Sequence, residues 1–379
     1  MRIGIDARVI RKYPGLGRVC YNLIKEIAII DERNEYIIFG KHPSLNFLDR
    51  HRNFRSVDID FPVLSARTLF WLQRIIKREG VELFYSPFQV TTISPPCPMV
   101  ITVHDMMDLF YPDAFSHQPF YVNRALRIYF RFVIPKSIRN ATMITSVSES
   151  TKRDILRYFH IPEDRVEVIH NGVEEKFSPV KDEKLLIMIR EKYNLPDRFV
   201  LYLGSTKPYK NLDGTLEAFS KLKKKYINPD NHIYLVIGGL RHFSIADLER
   251  KARELGIEND FFNIGYISED DLPSVYSLAE VFLFPSIWEG FGLPALEAMA
   301  CGTPVVTSNT SSLPEVVGKA GIMVDPKDTT SIAEALHRIL NNRAIREELS
   351  EKGIKEAKKF SWRMSAEKLL KVFSAVAKN

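Results

Sequence analysis

The sequence predicts an α/β protein in two domains, each built on a parallel sheet. Three observations carry this. Short apolar runs recur at 2–7, 36–39, 83–85, 100–103, 144–147, 199–203, 234–239, 281–284 and near 305 and 322, and helical patterns separate several of them. Such alternation implies parallel strands covered by helices. The chain has 379 residues, more than one hydrophobic core usually organises. At two places, near residue 15 and near residue 290, an apolar run passes through glycines into a helical pattern, as in a Rossmann-like unit.

Hydrophobic residues make up 45% and charged residues 26%, which are globular values. The cysteines, Cys20, Cys97 and Cys301, show no C-x-x-C spacing, so a reduced, cytoplasmic protein without zinc is expected. No apolar stretch follows Met1, and no run of about 18 apolar residues occurs, so neither a signal peptide nor a membrane span is expected. The formal charge of +6 suits anionic ligands, an anionic membrane surface or nucleic acid. The basic residues are spread along the chain without a nucleic-acid motif, so nucleic acid is set aside.

In chain order, residues 2–7 read as the first strand. A loop at 14–18 containing Gly15 and Gly17 follows, then a helix with Val19, Leu23, Ile27 and Ile30 on one face. The full G-x-G-x-x-G is missing, so this loop alone is a weak signal. Asp58 and Asp60 match a D-x-D triplet. They alternate with apolar Val57, Ile59 and Phe61 in a strand-like segment at 57–61 and read as a solvated face. The run at 100–103 ends in His104 and Asp105, and ligands of open parallel sheets lie beyond strand carboxyl ends. Segments 120–136 and 69–77 are basic and aromatic. They read either as packed helices with a charged solvated face or as surfaces that dock on anionic lipid.

The segment 174–196 is charged and bounded by prolines, so the domain crossing is placed there. The second domain opens with the strand 199–203. A turn carrying Ser205, Lys207 and Lys210 follows, with a helix from about residue 212. Lys210, just before a helix start, is placed to meet phosphate. The strand 281–284 is broken by Pro285, Gly290 and Gly292, and Pro294 then suits the first position of a helix. The amides of Phe291, Gly292 and Leu293 would form an anion site there. Glu289 precedes the loop and Glu297 is expected in the first helical turn. Two carboxylates beside an anion site suit a phosphate that also carries hydroxyls.

Glu289 and Glu297, with seven residues between them around Gly-Phe-Gly-Leu-Pro, resemble the E-x7-E signature of glycosyltransferase family 4. Cys-Gly-Thr-Pro-Val-Val at 301–306 and Leu-Pro-Glu-Val-Val at 313–317 look similar to that family too. The resemblance implies a GT-B fold, with two Rossmann-like domains facing a central cleft. It divides the chain into an acceptor-binding domain at 1–173, a linker at 174–196, a nucleotide-sugar domain at 197–360, and a C-terminal helix at 361–379 that crosses back onto the first domain. It implies a retaining, metal-independent transfer of a hexose from a nucleotide sugar to a saccharide or lipid-linked acceptor. His104, Glu289 and Lys210 would be catalytic. Gly15, Gly17, Ser205, Lys207, Ile267, Phe291, Gly292, Leu293 and Glu297 would bind the nucleotide sugar.

The family's common Arg after the first glycine of the second domain is replaced by Ser205 and Thr206, and Lys207 could supply that charge. The nucleotide sugar is a substrate, and no cofactor or metal is expected. GDP-mannose is favoured because the Gly-Leu-Gly-Arg and His-Asp patterns look like bacterial polysaccharide mannosyltransferases. A UDP-sugar donor, a glycoside hydrolase using the carboxylate pair and a non-catalytic sugar-nucleotide binder remain alternatives.

Overall fold

The computed structural model describes residues 1–11, 13–110, 120–227, 232–239 and 245–378. It separates into two compact units, one of Met1–Gly172 with Ser361–Asn379 and one of Val173–Phe360.

In the first unit, β1 (Arg2–Asp6), β2 (Glu35–Phe39), β3 (Phe54–Val57), β4 (Leu83–Ser86), β5 (Met99–Val103), β6 (Met143–Ser146) and β7 (Val166–Val168) form one sheet. Its order is β3-β2-β1-β4-β5-β6-β7, with every pair parallel. β4 and β5 are buried at every residue, which is why they stand in the sequence as unbroken apolar runs. The C-terminal helix Trp362–Val376 belongs to this unit and packs on the helix Pro14–Ile30. Phe373 meets Tyr85 edge to face at 5.3 Å, and Ser365 Oγ donates to the His170 carbonyl at 2.6 Å. At Gly172 a Cβ would run into the Trp362 amide nitrogen, so only glycine admits this approach.

In the second unit, β8 (Phe199–Leu203), β9 (Tyr234–Gly238), β10 (Phe261–Gly265), β11 (Val281–Phe284), β12 (Val305–Ser308) and β13 (Ile322–Val324) form a parallel sheet of order β10-β9-β8-β11-β12-β13. Tyr202, Phe219, Leu235, Leu283 and Leu336 are among its buried core side chains. The strand order reverses between β1 and β4 in the first sheet and between β8 and β11 in the second. Such reversals open crevices at the carboxyl edge.

Several local expectations shift. The third strand is Phe54–Val57, whose last ladder bond runs from the Gly40 amide to the Val57 carbonyl. Residues 58–61 lie beyond it and keep their alternation, with Ile59 and Phe61 buried and Asp58 and Asp60 exposed. Pro62, without an amide, cannot extend the ladder. The 69–77 segment is two short helices, Ala66–Phe70 and Leu72–Arg78, broken at Trp71, and the 120–136 segment is a helix that runs to Asn140 through Pro135. The 174–196 stretch lies in the second unit and carries the helix Glu183–Lys192, capped by Asp182. Of that helix only Ile189 is buried, and Ile187 and Met188 are exposed, so no clean periodicity marks it in the sequence.

Candidate active site

In the second unit the turn after β8 is built for rigidity. Pro208–Lys210 makes a single 3-10 turn, and Asn211 follows in the left-handed region at φ +57° as the N-cap of the helix Leu212–Tyr226. Asn tolerates this conformation better than most residues. The Asn211 amide group donates to the carbonyls of Pro285 at 3.1 Å and Pro326 at 2.6 Å, and the Ile287 amide donates to the Tyr209 carbonyl at 2.7 Å. The buried Tyr202 hydroxyl donates to the Lys210 carbonyl at 3.2 Å. The turn after β8 is thus fastened to the loop after β11, across the point where strand order reverses. Here Lys210 Nζ lies 2.6 Å from Glu289 Oε1, and both side chains are largely buried. Burial, followed by the charges of Glu289 and Asp213, raises the pKa of the Tyr202 hydroxyl.

The loop after β11 is held by two serines. Ser311 Oγ donates to the Glu289 carbonyl at 2.5 Å and accepts from the Glu289 amide at 3.2 Å, while Ser312 Oγ lies 2.9 Å from the carbonyls of both Glu289 and Phe291. Gly292 caps the helix Leu293–Ala300 at φ +104°, and a Cβ there would sit 2.7 Å from Leu313 Cδ2. The left-handed φ calls for glycine here, while the Leu313 methyl is a flexible end that could turn aside. The first amides of this helix have no in-helix acceptor, and the dipole adds positive character. Phe291, Gly292 and Leu293 stand at that end, which is the geometry that binds phosphate.

Glu297 is not in the first turn. The helix begins at Leu293, with Pro294 second, so Glu297 is one turn further in and only 3% exposed. It accepts from the Tyr276 hydroxyl at 3.2 Å. Tyr276, Ser311 and Ser312 hold the two carboxylate positions, yet no spacing in the sequence singles them out. Ser205 and Lys207 are half-buried in the turn after β8, with Lys207 Nζ 5.6 Å from the Tyr209 ring centre. Ile267 is buried beyond β10, and a Cβ on Gly238 would lie 2.9 Å from its Cδ1. These residues share the carboxyl edge of one sheet.

In the first unit, His104 follows β5 at the corresponding edge. Its Nε2 lies 2.8 Å from the Pro87 carbonyl. Burial pushes its pKa down to about 4, against the opposing effect of that carbonyl. The ring is therefore neutral near pH 7, with Nε2–H donating to Pro87 as the tautomer this contact requires. Asp105 Oδ1 accepts from the Met107 amide at 2.9 Å and so holds the turn.

Gly15 and Gly17 lie inside the helix Pro14–Ile30, not in a loop before it. Pro14, pre-set for the first helical position, starts the helix earlier than the glycines suggest. Gly17 is a packing glycine: a Cβ would come within 2.9 Å of Ile10 Cα. A Cβ on Gly15 would have nothing within 4 Å.

The family model described as "Glycosyl transferases group 1" matches residues 187–359, and that described as "Glycosyltransferase Family 4" matches residues 13–177. The O-antigen chain mannosyltransferase B of Escherichia coli is 30% identical over 93% of this chain and 94% of its own length. The serotype-specific mannosyltransferase WbdA of Escherichia coli is 30% identical over 72% of this chain, a match spanning 32% of WbdA. The crystal structure of Anabaena HepE in complex with UDP and glucose is similar with a TM-score of 0.75 at 17% identity, covering 99% of this chain and 100% of that one. Two parallel Rossmann-like sheets, a C-terminal helix returned to the first unit and these matches identify the chain as a GT-B glycosyltransferase of family 4.

Proposed function

We propose that this glycosyltransferase moves a hexose, mannose in the first instance, from GDP-mannose to a saccharide or lipid-linked acceptor, with retention and without a metal ion. The observation that carries the reading is the Lys210–Glu289 pair beside the N-terminus of the helix Leu293–Ala300. The likeness to a mannosyltransferase over nearly the whole chain supports the choice of sugar. In the transfer, the bond from the sugar's anomeric carbon to the diphosphate oxygen breaks, and its electron pair leaves with the diphosphate. The helix-end amides and Lys210 stabilise that charge as preorganised donors. Glu289 faces the sugar while it carries positive charge, and Glu297 accepts from ribose hydroxyls of the nucleotide. The acceptor hydroxyl attacks on the face the diphosphate leaves, and its proton passes to the departing phosphate oxygen. His104 contacts donor sugar or acceptor as a neutral imidazole.

Thermal shift with GDP, UDP and their sugars tests the donor, because a ligand that binds only the folded state raises the melting temperature. GDP-mannose is expected to give the largest rise, and NMR of the product should show the donor's anomeric configuration. Stabilisation by UDP-sugars alone would overturn the donor assignment.

Anionic lipid is proposed as a peripheral partner. Phe70, Tyr121, Ile128 and Phe132 are exposed on helices that also carry Arg67, Arg74, Arg124 and Arg131, and Trp71 is exposed at the break between two of them. Co-sedimentation with anionic vesicles, reversed by salt, is the expected result. Equal recovery with neutral and anionic vesicles would refute it.

A further inference from the structure

Within the second unit, the 174–196 stretch is fastened at three points to the helix Leu272–Leu278 and the turn before it. The Val180 amide donates to Ser277 Oγ at 3.1 Å, and the buried Phe177 ring meets Tyr276 edge to face at 6.2 Å. The third point is Tyr193, the C-cap residue of the helix Glu183–Lys192. Its hydroxyl donates to Asp271 Oδ2 at 2.6 Å, and the hydroxyl oxygen accepts from the Ser268 amide at 3.2 Å. Lys192 Nζ lies 2.6 Å from the same Asp271 oxygen. Burial opposes ionisation of Asp271, but hydrogen bonds from Lys192 and Tyr193 hold its pKa below the ordinary carboxylate value. Asp271 is therefore an ionised acceptor near pH 7, and it turns the Tyr193 hydroxyl so that a lone pair meets Ser268.

Ser268 closes a short segment that is pinned at both ends. β10 finishes at Gly265, at φ +64°, whose carbonyl accepts from the Gly239 amide at 2.8 Å. Tyr266 is then exposed, and Ile267 is buried with its side chain packed over Gly238. Among the described residues neither the Ile267 amide nor the Ile267 carbonyl has a hydrogen-bond partner. Buried peptide groups without partners are rare. A free donor beside a free acceptor matches the edge of a nucleobase, which carries both. The segment is also suitably placed. β10 is two strands from β8, roughly 10 Å at ordinary strand spacing, on the carboxyl edge that carries Lys210 and the helix Leu293–Ala300. A nucleotide whose diphosphate meets Lys210 can extend its base that far along the edge.

We propose that Tyr193, oriented by Asp271, is a positioning residue for base selectivity: it fixes the Ser268 amide and so holds the Ile267 peptide groups in the register that tells one base from another. The inference rests on the transferase reading above and assigns the selectivity of its nucleotide side. The same stretch supports the ribose side, since Phe177 backs the Tyr276 ring whose hydroxyl holds Glu297. A segment with the composition of a linker thus braces the nucleotide-binding edge of its own unit.

The test is titration calorimetry on the full chain with GDP, UDP and ADP, and with inorganic pyrophosphate as the probe that lacks a base. Tyr193→Phe keeps the ring and removes the hydroxyl. It is expected to weaken the preferred nucleoside diphosphate roughly fivefold, as loss of one hydrogen bond does, and to shrink its margin over the other two by a similar factor. Pyrophosphate affinity should be unchanged, because Lys210 and the helix-end amides are untouched. Asp271→Asn, which keeps an acceptor for the Tyr193 hydroxyl, should retain most of the margin, and Asp271→Ala should lose it. A hydroxyl that only braces the fold would lower the melting temperature and leave the margin between bases as it was. An unchanged margin in Tyr193→Phe would therefore overturn the proposal, as would pyrophosphate weakened as much as the nucleotides, or a wild type that binds all three nucleotides equally. The margin is taken for whichever base the wild type prefers, so a preference for UDP would overturn the donor assignment and not this role. Failure of the wild type to bind any nucleoside diphosphate would refute the transferase reading, and this inference would fall with it.

Discussion

Lys210 Nζ and Glu289 Oε1 lie 2.6 Å apart, bridging the turn after β8 and the loop after β11 with side chains only 17% and 10% exposed. In this shelter each charge depends on the other. Lys210→Ala is expected to lower turnover by roughly 10²-fold, as loss of one transition-state donor does. It should also cost about 1–3 kcal/mol of stability by leaving Glu289 without its cation. Adding Glu289→Gln to Lys210→Ala should recover most of the stability and none of the turnover. Urea unfolding of the four members of this cycle, beside initial rates, measures both; stability equally low in the double variant would mean the pair is not coupled.

Glu297 and Glu289 should fail in different ways. Glu297→Gln is expected to weaken binding of the nucleoside diphosphate, a contact present in every bound state. Glu289→Gln should depress turnover more than affinity. Tyr276→Phe removes the hydroxyl that holds Glu297 at 3.2 Å and should weaken diphosphate binding by less than Glu297→Gln does. Titration calorimetry with the diphosphate reads all three, and the reverse pattern for the two acids would exchange their roles.

His104 makes stability depend on pH. Its pKa is about 4 in the folded protein against an ordinary 6.5. Between these values the unfolded chain binds more protons, so stability is fully present above pH 6.5 and falls as pH drops towards 4. The loss is on the order of 3 kcal/mol once pH is below the folded value. Urea midpoints at pH 7 and pH 5 should converge in His104→Gln relative to the wild type. An identical pH slope in the two proteins would remove His104 as the cause.

The two glycines of the Pro14–Ile30 helix should separate cleanly. Gly17→Ala must push against Ile10 backbone and should cost about 1–3 kcal/mol. Gly15→Ala has open space and a helical backbone and should gain up to about 1 kcal/mol. If Gly15 nonetheless serves close approach of a ligand, Gly15→Ala will raise KM while raising the melting temperature. A melting temperature lowered equally by both substitutions would contradict the helical placement of Gly15.

The sheets were legible because interior parallel strands are buried on both faces, so 83–85, 100–103, 199–203 and 281–284 announce themselves as apolar runs. The helix Glu183–Lys192 was hidden because its non-polar residues point both ways. Glycine misled at residues 15 and 17, where it serves tight packing and open surface inside a helix. The depth of Glu297 was legible only once the helix start was known. Tyr276 and the Ser311–Ser312 clamp act through contacts that cross between elements, and no one-dimensional spacing encodes those.

The glycine at 172 has a topological consequence. The chain leaves the first unit at Gly172 and re-enters it at Ser361, and these points are backbone neighbours in space. On the other side, the Val173 amide donates to the Phe360 carbonyl at 3.1 Å, so the second unit begins and ends at one spot. The 173–360 stretch therefore has the form of a cassette, spliced into its host through a single point. A short linker joining Gly172 to Ser361 would close the host with its C-terminal helix still in place, and the cassette's own ends could be joined and reopened elsewhere as a circular permutant.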